Sequence, residues 1–325
     1  MTKIAVVGAT GLVGETMLNE LEKRQLELDI TLLASASSVG KKMSFLGKDL
    51  IVKELTPDSF RGIDVALFAV ESDVSKKYAP HAKAAGCLVI DNSSAFRMEP
   101  NVPLIVPEVN PEDIKQHQGI IANPNCSTIQ SVVPLLALKP FGLKRVIYTT
   151  YQSVSGSGKA GIEDLERGQR GEPNLFYPLP IANNVIPQID SFLDDGYTGE
   201  EMKMIHETKK ILHLPDLQVT ATTVRVPLQS GHSVAIIVQT ERPFEISHVK
   251  QALAATPGLI FVDAPDFPTP LQASGREDIL VGRVRRDYSA ENSIHIWCVA
   301  DNIRKGAAGN AVQILDTILE HTDLV

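Results

Sequence analysis

The 325-residue chain is 43% hydrophobic and 22% charged, a balance that supports folded cores and excludes a disordered or low-complexity chain. Thirty-nine acidic against 31 basic side chains leave a net charge of −8, which argues against a nucleic-acid partner and for small charged metabolites held in a local basic pocket. The three cysteines, Cys87, Cys126 and Cys298, are odd in number and far apart, and the apolar run before Gly8 is too short for a signal core or a membrane span, so a cytoplasmic protein with neither disulfides nor a bound metal is expected.

Ile4 to Val7 is a continuous apolar run, as a strand buried on both faces of a parallel sheet requires. It leads into Gly8-Ala9-Thr10-Gly11-Leu12-Val13-Gly14, and a helical pattern follows from Leu12 to about Lys23. Strand, glycine turn and helix N terminus in that order suit a dinucleotide pyrophosphate, because glycines let the backbone approach and unpaired helix amides meet the negative charge. Gly8, Thr10, Gly11, Leu12 and Val13 are therefore the expected cofactor contacts. A second strand, Asp29 to Ala34, ends in Ser35-Ala36-Ser37-Ser38, where an NAD site usually carries Asp or Glu for the ribose hydroxyls. Ser35 and Ser38, followed by Lys41 and Lys42, suit a 2′-phosphate and point to NADP. A strand at Val65–Val70, a helix at Ser72–Ala85 and a strand at Leu88–Ile90 continue the alternation and set the class as α/β with a mostly parallel, Rossmann-type sheet.

Gly119 to Ala122 is a short strand ending in Asn123-Pro124-Asn125-Cys126-Ser127-Thr128, and Ile129, Val132, Val133, Leu136 and Leu138 then form a helical stripe. A thiol at such a junction meets the positive end of the helix dipole, which favours the nucleophilic thiolate. The amides that open this helix are the expected oxyanion donors. Cys87 and Cys298 sit at or within strands and read as packing residues. Most of the eight histidines, His321 among them, fall in polar helical or loop segments. His232 differs: Thr220–Pro227 and Ser233–Gln239 read as partner strands, and Gly231-His232 ends the hairpin loop between them. There it is either a solvated turn residue or a general acid/base for the thiol.

Beyond Cys126 the pattern becomes a mixed sheet with helices on one face. Strands are expected at 145–153, 218–227, 233–240, 279–286 and 293–300, and helices at 129–138, 199–212 and 247–255. Residues 167–199, rich in Pro, Asn and Gly, read as an extended excursion suited to an interface arm. In the helix after Thr198, Glu200 and Lys203 share one face away from a stripe of Met202, Ile205 and Leu212, and on geometry alone form a solvated ion pair. Glu201 reads as a capping-box residue. A last helix spans about Gly306 to Thr322.

Taken together, Gly8-x-x-Gly11-x-x-Gly14, Ser93-Ser94-Ala95-Phe96-Arg97, Asn123 to Thr128, Tyr151 to Gly158, Glu200 to Met204, and Arg225-Val226-Pro227 with Gly231-His232 resemble the aspartate-β-semialdehyde dehydrogenase family in order and spacing over nearly the whole chain. The resemblance implies reversible, NADP-dependent reductive dephosphorylation of β-aspartyl phosphate to aspartate semialdehyde, in the biosynthesis of lysine, methionine and threonine. It makes Cys126 the acylated nucleophile, His232 the acid/base, and Gln152 a polar group orienting the acyl function. Arg225 would take the substrate α-carboxylate and Glu200 its ammonium, with Lys203, Arg97 and Asn125 around the phosphate. Ser157, Gly158 and Asn302 would lie near the nicotinamide. It also implies an NADP-binding domain over 1–125, completed by a C-terminal helix at 306–325, and a catalytic and dimerisation domain over 126–305 that forms a homodimer. One departure bears on the cofactor: the family often places an arginine on the 2′-phosphate where this chain has Ser37. Three other readings compete. The reductase of N-acetyl-γ-glutamyl phosphate typically has Pro-Gly before its cysteine, and a glyceraldehyde-3-phosphate-type enzyme has an acidic second-strand residue; neither feature is present. A catalytically silent NADP-binding homologue would have little reason to keep both Cys126 and His232.

Overall fold

The computed structural model describes residues 1–320, which form two compact units: residues 1–124 with the segment from Ala307 onward, and Asn125–Gly306. Two positions of the expected last helix, 321 and 322, lie outside the described residues, as does His321. Among the described residues no helix is long and apolar enough to cross a membrane.

The first unit is built on a sheet with strands β1 (Thr2–Val7), β2 (Leu28–Ala34), β5 (Lys53–Glu54), β6 (Val65–Phe68), β7 (Leu88–Asp91) and β8 (Ile120–Ala122), in the order β5-β2-β1-β6-β7-β8 and parallel throughout. Helices α1 (Leu12–Arg24) and α2 (Ser72–Ala84) are its crossovers. The period of two divides the strand side chains cleanly between two cores. Ile4, Val6, Leu32, Leu67 and Ile90 pack with Met17 and Leu21 of α1 and with Val312, Leu315 and Ile318 of the C-terminal helix (Gly309–Glu320). Ala5, Val7, Leu33, Phe68 and Val89 pack on the other side with Ala79 and Ala82 of α2. This double burial is why the strands read as unbroken apolar runs. A hairpin, β3 (Lys42–Phe45) and β4 (Lys48–Ile51), follows the serines after β2 and takes Lys42 into a strand.

The second unit holds α3 (Cys126–Leu138), β9 (Leu143–Gln152), α4 (Gly158–Gln169), α5 (Gly199–Leu212), β10 (Gln218–Arg225), β11 (His232–Thr240), α6 (Ile246–Ala255), β12 (Leu259–Val262), α7 (Pro270–Ala273), β13 (Ile279–Arg286) and β14 (Ser293–Ala300). Its sheet runs β10-β9-β11-β14-β13-β12, with β10 parallel to β9, β12 parallel to β13, and the rest antiparallel. Helices α3, α5 and α6 cover one face. On the opposite face Ile147, Thr149, Ala235, Ile237 and Trp297 remain half-buried and Tyr151 exposed.

This strand order corrects one expectation: β10 and β11 are not hairpin partners, because β9 lies between them and pairs with both. Adjacency in sequence suggested pairing, but β9 has two open edges that together satisfy more backbone than a lone hairpin would. Three further segments differ. The helix after the Gly156-Ser157-Gly158 turn, α4, was not expected; β12 is an additional strand; and the final α-helix starts at Gly309, after a wider turn over Arg304–Ala308.

Candidate active site

In the first unit the glycine turn closes tightly on the sheet. Gly8 adopts φ +82°, and a Cβ there would collide with the carbonyl of Ala69. A Cβ on Gly14 would come within 2.8 Å of Ala9 Cα, so α1 can lie on the turn only if Gly14 has no side chain. Gly11 caps α1 without a side-chain acceptor, and the helical ladder begins at Glu15 N–H to Gly11 O. The amides of Leu12, Val13 and Gly14 therefore have no intrahelical acceptor, and helix geometry aims them past the end of β1. Thr10 Oγ1 lies 3.2 Å from Ser38 Oγ, and Lys41 Nζ donates to the same hydroxyl at 3.3 Å. Ser35 and Ser37 are exposed and hydrogen-bonded to each other at 3.0 Å. Lys42, by contrast, pairs with Asp49 on β4. Arg97, buried, donates from Nε to Asn123 O at 2.9 Å and from Nη2 to Asn92 O at 2.7 Å. The Asp91 carboxyl behind it is raised by burial, against the lowering effect of Ser75, Ser93 and Arg97.

In the second unit Cys126 is the first residue of α3, half-buried, with Asn125 as N-cap. Asn125 Oδ1 accepts Ser127 N–H at 2.9 Å and Thr128 N–H at 3.2 Å, and its backbone oxygen accepts Ile129 N–H. Two of the amides that open the helix, those of Ser127 and Thr128, are thus taken by the cap. Asn125 is itself held twice: its N–H donates to Glu207 at 2.7 Å, and its Nδ2 to Glu200 Oε1 at 2.8 Å. Gly306 fits against the nucleophile, since a Cβ there would lie 2.8 Å from Cys126 Cβ.

Glu200 is buried, not the solvated partner expected, because Met204, Glu207, Thr208 and Ile211 form the inward face of α5 and Met202 lies at its margin. Its Oε1 also accepts Gln152 Nε2 at 3.1 Å, and its Oε2 accepts Lys203 Nζ at 3.3 Å. Burial alone would raise this carboxyl; Lys203, Asn125, Gln152 and Arg225 together hold it below its usual range. Lys203 reaches Asp190 as well, at 2.8 Å. Glu201 has the expected reciprocal cap with Thr198.

His232 opens β11 and is completely buried. Its Nδ1 receives the Ser153 N–H at 3.1 Å, which requires a lone pair there and leaves the proton of the neutral ring on Nε2. Burial, and after it the adjacent Arg225, push its pKa well below the usual value. Arg225 ends β10, anchored by Nη1 to Ser153 O at 2.7 Å. Two buried donor atoms, His232 Nε2 and Arg225 Nε, have no acceptor. Gly156 borders both side chains: a Cβ there would sit 2.8 Å from Arg225 Nη1 and 3.2 Å from His232 Nε2. Gln130, one turn into α3, donates to His232 O at 3.2 Å and so ties the nucleophile's helix to this histidine. Asn302 is a hub whose Oδ1 accepts Ser153 Oγ, Ser155 Oγ and Gly231 N–H. Ser157 caps α4 and receives the Tyr177 hydroxyl, and Gly158, at φ +69°, has open space beside it. Cys87 and Cys298 are buried, Cys87 pushed up to about 12 by burial and Cys298 raised further for the same reason.

Of the second-unit residues singled out from sequence, Asn125, Gln152 and Lys203 meet at Glu200, and His232, Arg225 and Asn302 meet at Ser153, while Ser157 bonds Tyr177 instead; Ser153, Gln130, Glu207 and Gly306 drew no role from sequence. Only Ser153 stood inside a recognisable motif; nothing local marks the other three.

The NAD binding domain of semialdehyde dehydrogenases matches residues 3–117, and the semialdehyde dehydrogenase dimerisation domain matches residues 132–305. Aspartate-semialdehyde dehydrogenase of Bacillus subtilis strain 168 is 48% identical over 97% of this chain and 96% of its own. The crystal structure of aspartate semialdehyde dehydrogenase II from Vibrio cholerae, complexed with ASA, superposes with a TM-score of 0.96 at 45% identity, covering 99% of each chain. More distant is the aspartate semialdehyde dehydrogenase with NADP from Candida albicans, with a TM-score of 0.80 at 27% identity over 100% of both chains.

Proposed function

The chain belongs to the aspartate-semialdehyde dehydrogenase family, and from that premise we propose that it interconverts β-aspartyl phosphate with aspartate semialdehyde and phosphate through a thioester on Cys126, using NADP. The observation that carries this reading is the pair of buried donors, His232 Nε2 and Arg225 Nε, left without acceptors beside a glycine that must lack a side chain. Buried donors without partners are costly, and an anionic substrate relieves that cost.

The Cys126 thiolate attacks the acyl carbon of the acyl phosphate, the carbon–oxygen bond to phosphate breaks, and the thioester remains. Sulfur suits this role because a thioester carbonyl is less stabilised by resonance than an ester. Nicotinamide supplies the hydride that reduces this thioester. The Nε2–H of His232 meets the oxyanion that develops in each tetrahedral species, and its lowered pKa keeps the ring neutral in that duty. Gln152 and Asn125 are oriented by a common carboxylate oxygen, so their amide groups are set before substrate arrives. The planar fork of Arg225 binds the substrate carboxylate, the ionised Glu200 its ammonium, and Lys203 and Arg97 the phosphate.

For the cofactor, the Gly8–Gly14 cradle and the amides of Leu12 and Val13 fit a pyrophosphate, and Thr10 belongs to the same turn. Ser35, Ser38 and Lys41, with no carboxylate at the end of β2, favour the 2′-phosphate of NADP; Ser157, Gly158 and Asn302 serve the nicotinamide side. The first unit is the NADP-binding domain and the second the catalytic one. The half-buried sheet face with Ile147, Ile237, Trp297 and exposed Tyr151 is the surface for a homodimer. The decisive assay is phosphate-dependent reduction of NADP by aspartate semialdehyde. Activity in the wild type that disappears in Cys126→Ala is expected; an inactive wild type, or an active variant, overturns the proposal. Arg225→Lys should raise KM for the aldehyde sharply, whereas an unchanged KM would leave Arg225 with structural duties alone.

A further inference from the structure

A Cβ on Gly156 would touch both His232 Nε2 and Arg225 Nη1, and Ser157 is the next residue, so it stands at the edge of the proposed reaction site. Ser157 is the N-cap of α4, yet its hydroxyl makes no capping bond. It accepts instead from the hydroxyl of Tyr177, 20 residues further along the chain, at 3.0 Å. Several groups place that tyrosine. Asp164, buried on α4, accepts three successive amides of the excursion: Leu175 N–H on Oδ1 at 2.6 Å, and Phe176 and Tyr177 N–H on Oδ2 at 2.9 and 2.8 Å. Tyr177 packs against the cluster of Val154, Leu165, Ile181 and Ile186. Gly161 leaves room for the contact, since a Cβ there would lie 2.7 Å from the Tyr177 hydroxyl and 2.8 Å from Ser157 Cβ. Backbone and packing therefore hold the side chain in place without help from its hydroxyl.

We infer that Tyr177 is a positioning residue for the dinucleotide, whose hydroxyl holds Ser157 as a hydrogen-bond donor toward the nicotinamide half of the cofactor. A serine side chain turns among three rotamers, and at an N-cap its oxygen ordinarily accepts a helix amide. Tyr177 removes both freedoms by donating to that oxygen. A serine hydroxyl has a single hydrogen, and with Tyr177 as the donor this hydrogen is directed away from the tyrosine. Among the described residues nothing else bonds the Ser157 hydroxyl, so its hydrogen is available to a ligand. A phenol is a stronger donor than an alcohol, and a bond received from it strengthens the bond that Ser157 in turn donates. The nicotinamide half offers acceptors in its carboxamide and ribose oxygens. The adenine half, assigned above to the serines after β2, does not meet this hydroxyl.

The inference rests on the cofactor reading proposed above, and equilibrium binding tests it without turnover. NADP and adenosine 2′,5′-bisphosphate, which is the adenine half alone, are titrated into wild type, Tyr177→Phe, Ser157→Ala and the double variant. Tyr177→Phe should raise the dissociation constant of NADP about five-fold, the loss expected for one hydrogen bond, and leave that of the bisphosphate unchanged. Ser157→Ala should do the same. The double variant should lose no more than either single one, because the two hydroxyls act as a unit. Equal weakening of both ligands overturns the inference, as do losses that add in the double variant. Ser157→Ala reaches the same bond from its other end and leaves the excursion untouched, so NADP binding unchanged in that variant overturns the inference even where Tyr177→Phe does not fold. A wild type that binds neither ligand overturns the cofactor reading and the inference together. Should the aldehyde assay fail while the binding differences stand, the reaction is wrong and the nucleotide contact is not.

Discussion

Gly156 faces His232 so closely that a Cβ in its place would lie 3.2 Å from Nε2, the one ring nitrogen with no partner. Its backbone is not in the left-handed region, so the glycine is there for space and not for conformation. Gly156→Ala should therefore leave folding nearly intact and close the approach to Nε2 and Arg225. We expect a loss in kcat/KM of roughly a hundred-fold or more with a small change in melting temperature. Steady-state kinetics beside a thermal melt checks it; a kinetically normal alanine variant would place substrate elsewhere.

The three cysteines should separate by reactivity. Burial raises Cys87 to about 12 and Cys298 further, so at pH 8 roughly one Cys87 in ten thousand is thiolate. Cys126 is half-buried at a helix N terminus. Iodoacetamide on the native protein should add a single label, at Cys126, and abolish activity, whereas Cys298→Ala should label identically. Intact mass and peptide mapping decide; early labelling at either of the other thiols would contradict the burial argument.

His232 should also tax stability in acid. Its folded pKa lies well below the unfolded value of about 6.5, so the unfolded chain takes up a proton that the folded chain refuses. The stability present above pH 6.5 is then lost as pH falls toward the folded pKa, at about 1.4 kcal/mol per pH unit. His232→Asn should remove that slope. The difference between the two denaturant-derived stability curves from pH 7.5 to 5 isolates this group, since the other histidines cancel; a flat difference would mean that His232 charges in the folded state.

How far the sequence can be read follows from the range of the interactions concerned. The strands of the first unit are legible because both their faces are buried, so Ile4 to Val7 announces itself without reference to any partner. Cys126 is legible because a cap and a helix stripe are local patterns. The setting of His232 is not, because β9 must enter between β10 and β11 before the histidine becomes a buried strand residue. Glu200 is similar: an ion pair with Lys203 is the local pattern, but the groups that make its burial tolerable come from Asn125 and Gln152, 75 and 48 residues away. The helix α4 escaped because Gly158 and Gly161 weaken its propensity, and packing of Leu165 against Val154 and Ile181 stabilises it instead.

Gly14 offers a test of the nucleotide cradle. A side chain there would press on Ala9 Cα at 2.8 Å and push α1 away from the turn. Gly14→Ala should cost about 1–3 kcal/mol of stability and raise KM for NADPH, because the amides of Leu12 and Val13 move with the helix. Chemical denaturation and nucleotide titration measure the two effects. If binding held while stability fell, the pyrophosphate would not sit on α1.

The proposed preference for NADP can be tested at Lys41. Ser37 supplies no charge, Lys42 is committed to Asp49 on the β3–β4 hairpin, and Lys41 alone of the nearby cations reaches the Ser38 hydroxyl, at 3.3 Å. A 2′-phosphate beside Ser35 and Ser38 would draw on that ammonium, whereas a 2′-hydroxyl would not. Lys41→Ala should then raise KM for NADPH by about ten-fold, equivalent to about 1.4 kcal/mol of binding, and leave KM for NADH unchanged. Lys42→Ala should affect neither. Parallel titrations of both nucleotides against the two variants separate the cases: an equal loss for NADPH and NADH would assign Lys41 to the general field of the site, and a loss confined to Lys42→Ala would move the phosphate to the hairpin.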